Sequence, residues 1–271
     1  MIRFLILFGY FILSLYLHLS GKLNQYINLH YSYLAYITMV LSLLLVLVQA
    51  YISLKRFKEH SHLHSLFAKL ASFTLLGLPL LVGFTFPTVT LDSQTVSAKG
   101  YYFPLSEGID KAIQEREGTS SQYLKPDTSR FYSKTAYENI VRKAADKYLG
   151  QSSIVINDEN YLEVMEVIYD FPNEFEGKEI EFTGFVYNDP NYTNSQFVFR
   201  FGIMHCIADS GVFGLLTTGN TNQYDNNTWV RVRGKISNQY HKELNQVLPT
   251  LVVQSFVKVD KPENPYVYKK F

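Results

Sequence analysis

Three histidines lie within five residues of one short segment: His60, His62 and His64. On a helix, His60 and His64 share a face at the spacing that lets two imidazoles hold one metal ion. In an extended segment all three side chains point the same way. Imidazole suits divalent transition metals, so this cluster is a candidate metal site. The alternative is a polar membrane-proximal loop, because Glu59 is the only acidic ligand nearby and no cysteine is close enough to complete a tetrahedral site.

A second candidate site lies in a ten-residue segment that holds a guanidinium, an imidazole, a thiol and a carboxylate. These groups belong to Arg200, His205, Cys206 and Asp209. Adjacent residues of a strand point to opposite faces, so His205 and Cys206 hold one ion only if the strand bulges, for example at Gly202. Cys206 would share a face with Ala208, and a buried free cysteine is usually inert. We predict a buried, structural Cys206, with Arg200 and Asp209 closing a barrel corner, and a redox or metal role is the alternative.

The motifs of common enzyme classes are absent from the chain, including the G-x-S-x-G, H-E-x-x-H, Walker and dinucleotide-binding patterns. A single cysteine excludes an intramolecular disulfide framework and a cysteine-rich zinc module. The formal net charge of +1 gives no reason to expect nucleic acid as a partner. We predict a protein that is not an enzyme and needs no cofactor, with a divalent transition metal as the one candidate ligand.

The elements that must position these residues divide the chain into two chemically different parts. Residues 1–91 carry six basic and one acidic side chain, a net charge of +5, whereas the other 180 residues carry 19 basic and 23 acidic ones, a net charge of −4. The first part contains three apolar runs, and a spanning helix needs about 20 mostly apolar residues. The first run is either a retained helix or a signal peptide, and no A-x-A-like cleavage site follows it. We predict a membrane domain at residues 1–90, with helices at about residues 4–20, 33–54 and 67–89.

The basic residues predict the orientation of these helices. Lys55, Arg56 and Lys58 lie between the second and third runs, whereas only Lys22 lies between the first and second. Short loops rich in Lys and Arg stay in the cytoplasm. We therefore predict a multi-pass protein of the cell membrane with a cytoplasmic N-terminus and an extracytoplasmic region that begins after about Val89.

The extracytoplasmic region is predicted to begin with a linker and helical segment at residues 91–150. It contains candidate helices at residues 106–117 and about 134–149, the second capped by Ser133. Residues 151–271 then form an α+β domain with a short strand at 153–156 and a helix at 161–169. Five further strands are predicted at residues 179–187, 196–207, 212–218, 228–237 and 251–259. Five short strands with internal glycines favour an OB-like five-stranded β-barrel.

Three segments resemble the YcgQ-like family of bacterial membrane proteins. They are residues 17–27, residues 176–187 with Glu176-Gly177-Lys178 leading into Gly184-Phe185-Val186-Tyr187, and residues 200–209. The resemblance extends over nearly the whole chain and implies a subunit of a two-component membrane permease with a larger polytopic partner. The family pattern has two adjacent cysteines before Ala-Asp, whereas this chain has His205 at the first position, which argues against dithiol chemistry here.

The residues and the resemblance together predict a non-pore subunit that works with a polytopic permease in the lipid bilayer. It would assist uptake or export of a small solute, such as an amino acid or a divalent metal. No acidic or amine side chain lies at mid-depth in the apolar runs, so these helices are not expected to form a solute pathway alone. The alternative function is a membrane-anchored extracytoplasmic binding or envelope-stress protein, linked to a divalent metal and with no transport role.

Overall fold

A computed structural model of the chain describes residues 2–55, 65–86, 89–101, 134–192, 194–219, 222–241 and 246–270. The chain forms two compact units, Met1–Thr90 and Leu91–Phe271. The first unit is built from apolar helices. The second is built around a β-barrel.

In the part of the first unit that the structure describes, three helices are long and apolar enough to cross a membrane, which confirms the prediction. They are α1 (Ile2–Leu19), α2 (Ser32–Leu54) and α3 (Leu66–Thr85). Helix α3 ends before the predicted residue 89, and the backbone of Phe86 is already extended. The physical reason is Pro87, because a residue before proline disfavours the helical conformation.

Helix α1 contacts both α2 and α3. A Cβ atom built on Gly9 would lie 2.8 Å from Leu80 Cδ1, and one built on Gly83 would lie 3.0 Å from Leu13 Cδ2. Small residues at these two positions therefore allow α1 and α3 to approach closely, as in many membrane helix pairs. The glycines of α3 differ, because a Cβ on Gly77 would have no neighbour within 4 Å.

The second unit is built on a seven-stranded sheet with the order β1-β2-β5-β6-β4-β3-β7. Strand β2 also pairs with β3, so the five strands β2 to β6 close into a barrel, and β1 and β7 lie outside it. The predicted five-stranded barrel is confirmed. The bounds are β1 (Ser153–Val155), β2 (Glu179–Tyr187), β3 (Gln196–Ile203), β4 (Gly211–Thr218), β5 (Trp229–His241), β6 (Gln246–Lys258) and β7 (Tyr266–Tyr268).

Most barrel strands pair antiparallel with their neighbours, whereas the β4–β6 pair is parallel. Strands β5 and β6 form a hairpin that is longer than predicted, with Pro249 opposite Asn238. Strand β3 is shorter than predicted, because it ends at Ile203 and not at residue 207. That difference moves two of the candidate site residues, His205 and Cys206, out of the sheet.

Among its described residues the second unit contains four helices: α4 (Ser93–Lys99), α5 (Lys134–Leu149), α6 (Tyr161–Asp170) and α7 (Pro172–Phe175). The predicted helices at residues 134–149 and 161–169 are confirmed, whereas the candidate helix at residues 106–117 and the cap at Ser133 lie outside the described residues.

Helix α6 is buried along most of its length and is fastened to β4 by two tyrosine hydroxyls. Tyr161 donates to the Phe213 carbonyl at 3.2 Å. The Tyr169 hydroxyl donates to the Gly214 carbonyl at 2.6 Å and accepts from the Gly214 N–H at 2.8 Å. Gly214 has a φ of 156°, and a Cβ atom there would lie 1.9 Å from the Val198 carbonyl oxygen. Only glycine fits this contact between β3 and β4.

Candidate functional site

Arg200 lies in β3 opposite Phe213 and is 2% exposed. Its guanidinium forms an ion pair with Asp158, which precedes α6. It also donates to three successive backbone carbonyls at the start of the C-terminal segment. These belong to Asn264 at 3.2 Å, Pro265 at 3.4 Å and Tyr266 at 3.3 Å. A buried cation needs such partners, and here they are mostly backbone oxygens.

Two aromatic rings complete the surroundings of Arg200. Its guanidinium carbon lies 5.7 Å from the Tyr161 ring centroid and 5.6 Å from the Trp229 ring centroid, distances at which a cation is attracted to a ring. Burial raises the pKa of the Tyr161 hydroxyl well above its ordinary value, so this side chain stays neutral. Through these contacts Arg200 holds residues 264–266 and the start of α6 against the barrel.

His205, Cys206 and Asp209 lie together in the turn between β3 and β4. The Asp209 carboxylate accepts from the backbone N–H of His205 at 2.9 Å and of Cys206 at 3.1 Å. The same carboxylate lies 2.8 Å from His205 Nδ1. Cys206 precedes a short 3₁₀ turn at Ile207–Asp209 and is half-buried.

The prediction that Cys206 lies buried in the middle of a strand is wrong. The carboxylate of Asp209 satisfies backbone donors that would otherwise continue the β3 ladder, so the chain turns away from the sheet at Ile203. Arg200 and Asp209 do not form one corner either, because the acidic partner of Arg200 is Asp158. The second candidate site therefore divides between two places. Arg200 is buried in β3, whereas His205, Cys206 and Asp209 lie in the turn that follows it.

Metal binding has no support in the part of the chain that the structure describes, where no group of three or more His, Cys, Asp or Glu side chains is arranged to hold an ion. His60, His62 and His64 lie outside the described residues. Metal binding by these histidines stays a prediction.

A further segment, residues 91–101, contacts the barrel unit in a way that the sequence did not predict, and we call it the strap. The Leu91 N–H donates to the Tyr266 hydroxyl at 3.0 Å, and the Ser93 N–H donates to Asn227 Oδ1 at 2.8 Å. At the other end, the Tyr101 hydroxyl donates to Asp189 Oδ2 at 2.8 Å. These bonds fasten the strap to the barrel at three points.

The ring of Tyr101 packs on an aromatic surface formed by β2 and β3. Its centroid lies 5.9 Å from that of Tyr187, 4.7 Å from that of Phe197 and 5.6 Å from that of Phe199. Burial, together with Asp189, raises the pKa of the Tyr101 hydroxyl above its ordinary value. The strap therefore covers this surface with a neutral aromatic residue. The β2–β3 alternation of aromatic residues was the one sequence signal that could have indicated a covered surface.

Helix α5 is tied to α6 by a small polar cluster. Glu163 accepts from the Tyr148 hydroxyl at 2.6 Å and from Lys147 Nζ at 3.1 Å. Burial acts to raise the pKa of Glu163, but the hydrogen bonds from Tyr148 and Lys147 leave it below its ordinary value. Lys178 Nζ donates to the Leu149 carbonyl at 2.7 Å and so caps the end of α5.

Comparison with known proteins covers both units. The DUF1980 N-terminal domain matches residues 2–102, and the DUF1980 C-terminal domain matches residues 131–269. A protein of Streptococcus mutans serotype c, named "Putative two-component membrane permease complex subunit", is 55% identical over 271 residues, which is 100% of both chains. The "UPF0703 protein YcgQ" of Bacillus subtilis is 34% identical over 291 aligned positions, again 100% of both chains. No solved structure matches the chain.

Proposed function

The chain belongs to the DUF1980 family, in agreement with the predicted resemblance to YcgQ-like proteins, and on this premise we propose that it is the non-pore subunit of a two-component membrane permease. In this role it assists uptake or export of a small solute, and a polytopic partner supplies the pathway. The name of the Streptococcus mutans relative supports the complex.

The observation that carries the proposal is the distribution of ionisable side chains in the three helices. Arg3 lies at the start of α1, His18 at its end, and Lys69 in the first turns of α3, so the middle of each helix carries no Asp, Glu, Lys, Arg or His side chain. Charged side chains and His inside a membrane are typical of solute and ion pathways. Because α1 to α3 offer none of these side chains at mid-depth, we infer that the pathway belongs to another chain.

The surfaces of α2 and α3 support a partner within the membrane. In α2, only Ser42 and Val46 are buried, and no residue of α3 is buried. Broad apolar helix faces are covered either by lipid or by other helices. We propose that part of this surface contacts the partner and that the barrel unit acts outside the membrane, where it recognises the solute or gates the partner.

The basic residues that follow α2 support an extracytoplasmic barrel. The connection of α1 to α2 and its flanks are rich in tyrosine, which is enriched at both membrane–water interfaces and therefore marks an interface but not its side. These residues are Tyr16, Tyr26, Tyr31, Tyr33 and Tyr36. The opposite end of α2 is followed by Lys55, Arg56 and Lys58, which favour the cytoplasm.

The experiment is purification of the tagged full-length chain from native membranes, followed by identification of the proteins that accompany it. We expect a polytopic membrane protein at stoichiometric amounts. A matched control uses a tagged unrelated membrane protein of three helices from the same cells. Repeated recovery of the chain without a polytopic protein would favour the alternative, a membrane-anchored binding or envelope-stress protein without transport.

Topology is tested separately with single cysteines in a Cys206→Ala background. Lys55→Cys places a thiol after α2, and Ser152→Cys places one in the barrel unit, and both positions are exposed. We expect an impermeant maleimide to label Ser152→Cys in intact cells and Lys55→Cys only after permeabilisation. The reverse pattern would refute the proposed orientation.

A further inference from the structure

Two polar loop segments lie side by side at one end of the barrel. Residues 188–192 follow β2, and residues 222–228 precede β5. Strands β2 and β5 are antiparallel with Phe185 opposite Trp229, so the end of one strand lies beside the start of the other. We call these two segments the amide loops, because five of their twelve residues are asparagine.

Direct hydrogen bonds join the amide loops. The Asn188 N–H donates to Asn226 Oδ1 at 2.7 Å, and Asn188 Nδ2 donates to the Tyr224 carbonyl at 3.0 Å. Beneath them Gln196, which is 1% exposed, donates to Asn188 Oδ1 at 2.7 Å and to the Tyr224 carbonyl at 2.6 Å. The Tyr224 N–H donates back to Gln196 Oε1 at 3.2 Å. One buried amide thus holds both loops in a fixed arrangement, which lowers the cost of ordering them around a ligand.

The amide loops present two half-buried aromatic rings among exposed amide groups. The Tyr192 ring packs on Phe197 with centroids 5.3 Å apart, and the Tyr224 ring packs on Phe256 with centroids 5.4 Å apart. Asparagine amides both donate and accept hydrogen bonds, and tyrosine offers an apolar ring with a polar tip. This mixture resembles that of antibody binding loops, which are rich in tyrosine and asparagine.

The composition of the amide loops argues against three ligand classes. Neither segment contains Lys or Arg, so phosphate and other anions lack their usual partners. Both oxygens of Asp189 already accept hydrogen bonds, from the Asn191 N–H and the Tyr101 hydroxyl. Asp225 is the other carboxylate of the loops, and among the described residues these acids belong to no group of three or more that could hold a metal ion, which argues against a cation. Residues 188–192 and 222–228 expose no large hydrophobic side chain, whereas protein interfaces centre on such anchors and on Arg.

From these observations we propose that the amide loops bind a neutral, hydroxyl-rich ligand, namely an oligosaccharide. The exposed amides pair with sugar hydroxyls, and the Tyr192 and Tyr224 rings pack against the apolar faces of the sugar rings. Small barrels of this strand number are known to bind oligosaccharides through their loops. The inference does not depend on the transport role, because it concerns only the surface of the barrel unit.

The test is binding of the full-length protein, in phosphatidylcholine nanodiscs, to an array of neutral and anionic oligosaccharides. We expect binding to neutral glycans only. Asn191→Ala and Tyr192→Ala should each weaken the binding about tenfold. Tyr240→Ala is the matched control, because Tyr240 is 58% exposed and lies at the far end of β5 from the amide loops. It should bind like the wild type.

Unchanged fluorescence of Trp229 shows that each variant keeps its fold. Absence of neutral-glycan binding, binding confined to anionic glycans, or equal loss in the Tyr240→Ala control would overturn the proposal. A photo-crosslinking residue at position 226 gives a second readout in cells. If it captured a polypeptide while the array stayed blank, the surface would belong to a protein partner and the proposal would be wrong.

Discussion

Replacing Arg200 by methionine should destabilise the barrel strongly. Methionine fills much of the same space but cannot donate to the carbonyls of residues 264, 265 and 266, and it leaves Asp158 without its partner. The Asp158 side chain is 66% exposed, so losing its partner costs at most about 1 kcal/mol, and the main cost comes from the three carbonyls that lose their buried donor. Hydrogen bonds to a charged group contribute about 1.5–3 kcal/mol each but are not additive, so we expect a total of about 3–5 kcal/mol.

Two control substitutions distinguish the loss of the buried Arg200 contacts from the general effect of removing a charged side chain. Asp158→Asn should cost at most about 1 kcal/mol, because the Asp158 side chain is 66% exposed and its charge is screened by water. Arg231→Met removes an exposed guanidinium from β5 and should change the stability by about 0.5 kcal/mol or less. The expected order of destabilisation is therefore Arg200→Met, then Asp158→Asn, then Arg231→Met.

The assay is urea unfolding of the full-length protein in detergent micelles, followed by tryptophan fluorescence. Trp229 is the single tryptophan of the chain and is 7% exposed, so its emission reports on the barrel unit alone. With a denaturant slope of about 2 kcal/mol/M, a loss of 3–5 kcal/mol lowers the urea midpoint by about 1.5–2.5 M. The midpoint is compared, not the intensity, because Arg200 lies beside the indole. If Arg200→Met shifted the urea midpoint no more than Arg231→Met does, the conclusion that the buried contacts of Arg200 stabilise the barrel unit would be refuted.

Three further predictions follow from other contacts in the barrel unit. Because the pKa of Glu163 lies below its ordinary value of 4.5, its contribution to stability is present above that value and is lost as the pH falls through the lowered pKa. Acid unfolding curves of Glu163→Gln should lack this loss of stability. Curves identical to those of the wild type would contradict the prediction. Gly214→Ala should cost about 3 kcal/mol or more, since its Cβ would overlap the Val198 carbonyl. Gly219 has a φ of 75°, and a Cβ atom built on it would have its nearest neighbour at 4.0 Å. Gly219→Ala should therefore cost about 1 kcal/mol in the same urea assay, and an equal loss of stability in the two alanine variants would argue against the overlap at Gly214. Asp209→Ala should cost about 1–2 kcal/mol, because it leaves the N–H groups of His205 and Cys206 without their carboxylate, and Cys206→Ala should cost less. Thermal unfolding of both variants measures this order, and a larger loss of stability in Cys206→Ala would contradict the prediction.

Local patterns in the sequence predicted most of the elements correctly. The three apolar runs indicated α1 to α3, because a backbone in lipid must satisfy its own hydrogen bonds within a helix. Alternation in residues 179–187 predicted β2 with its observed bounds, and a helical stripe in residues 134–149 predicted α5. In each case the information lies within one element, since periodicity records which face is buried.

The partners of individual side chains were not predictable in this way. Asp158 pairs with Arg200 across 42 residues, and Asp189 bonds to Tyr101 across 88 residues. Many acidic residues of the second unit have the right charge to pair with Arg200, and nothing local to the sequence distinguishes one from another. The end of β3 was missed for a related reason, because the carboxylate of Asp209 competes with the sheet for backbone donors and an apolar pattern does not record that competition.

The sequence by itself thus determined which segments form helices apolar enough to cross a membrane and which segments form strands, since both depend on the spacing of apolar residues along a few turns or pleats. Only the tertiary structure decided which barrel strands are neighbours, including the parallel β4–β6 pair and the β2–β3 pair, that the strap covers the aromatic surface, and that two polar loops meet at one end. The physical reason is that these contacts join residues far apart in the chain. Which of them form depends on packing and on satisfying every buried polar group at once, and that condition applies to the folded chain as a whole.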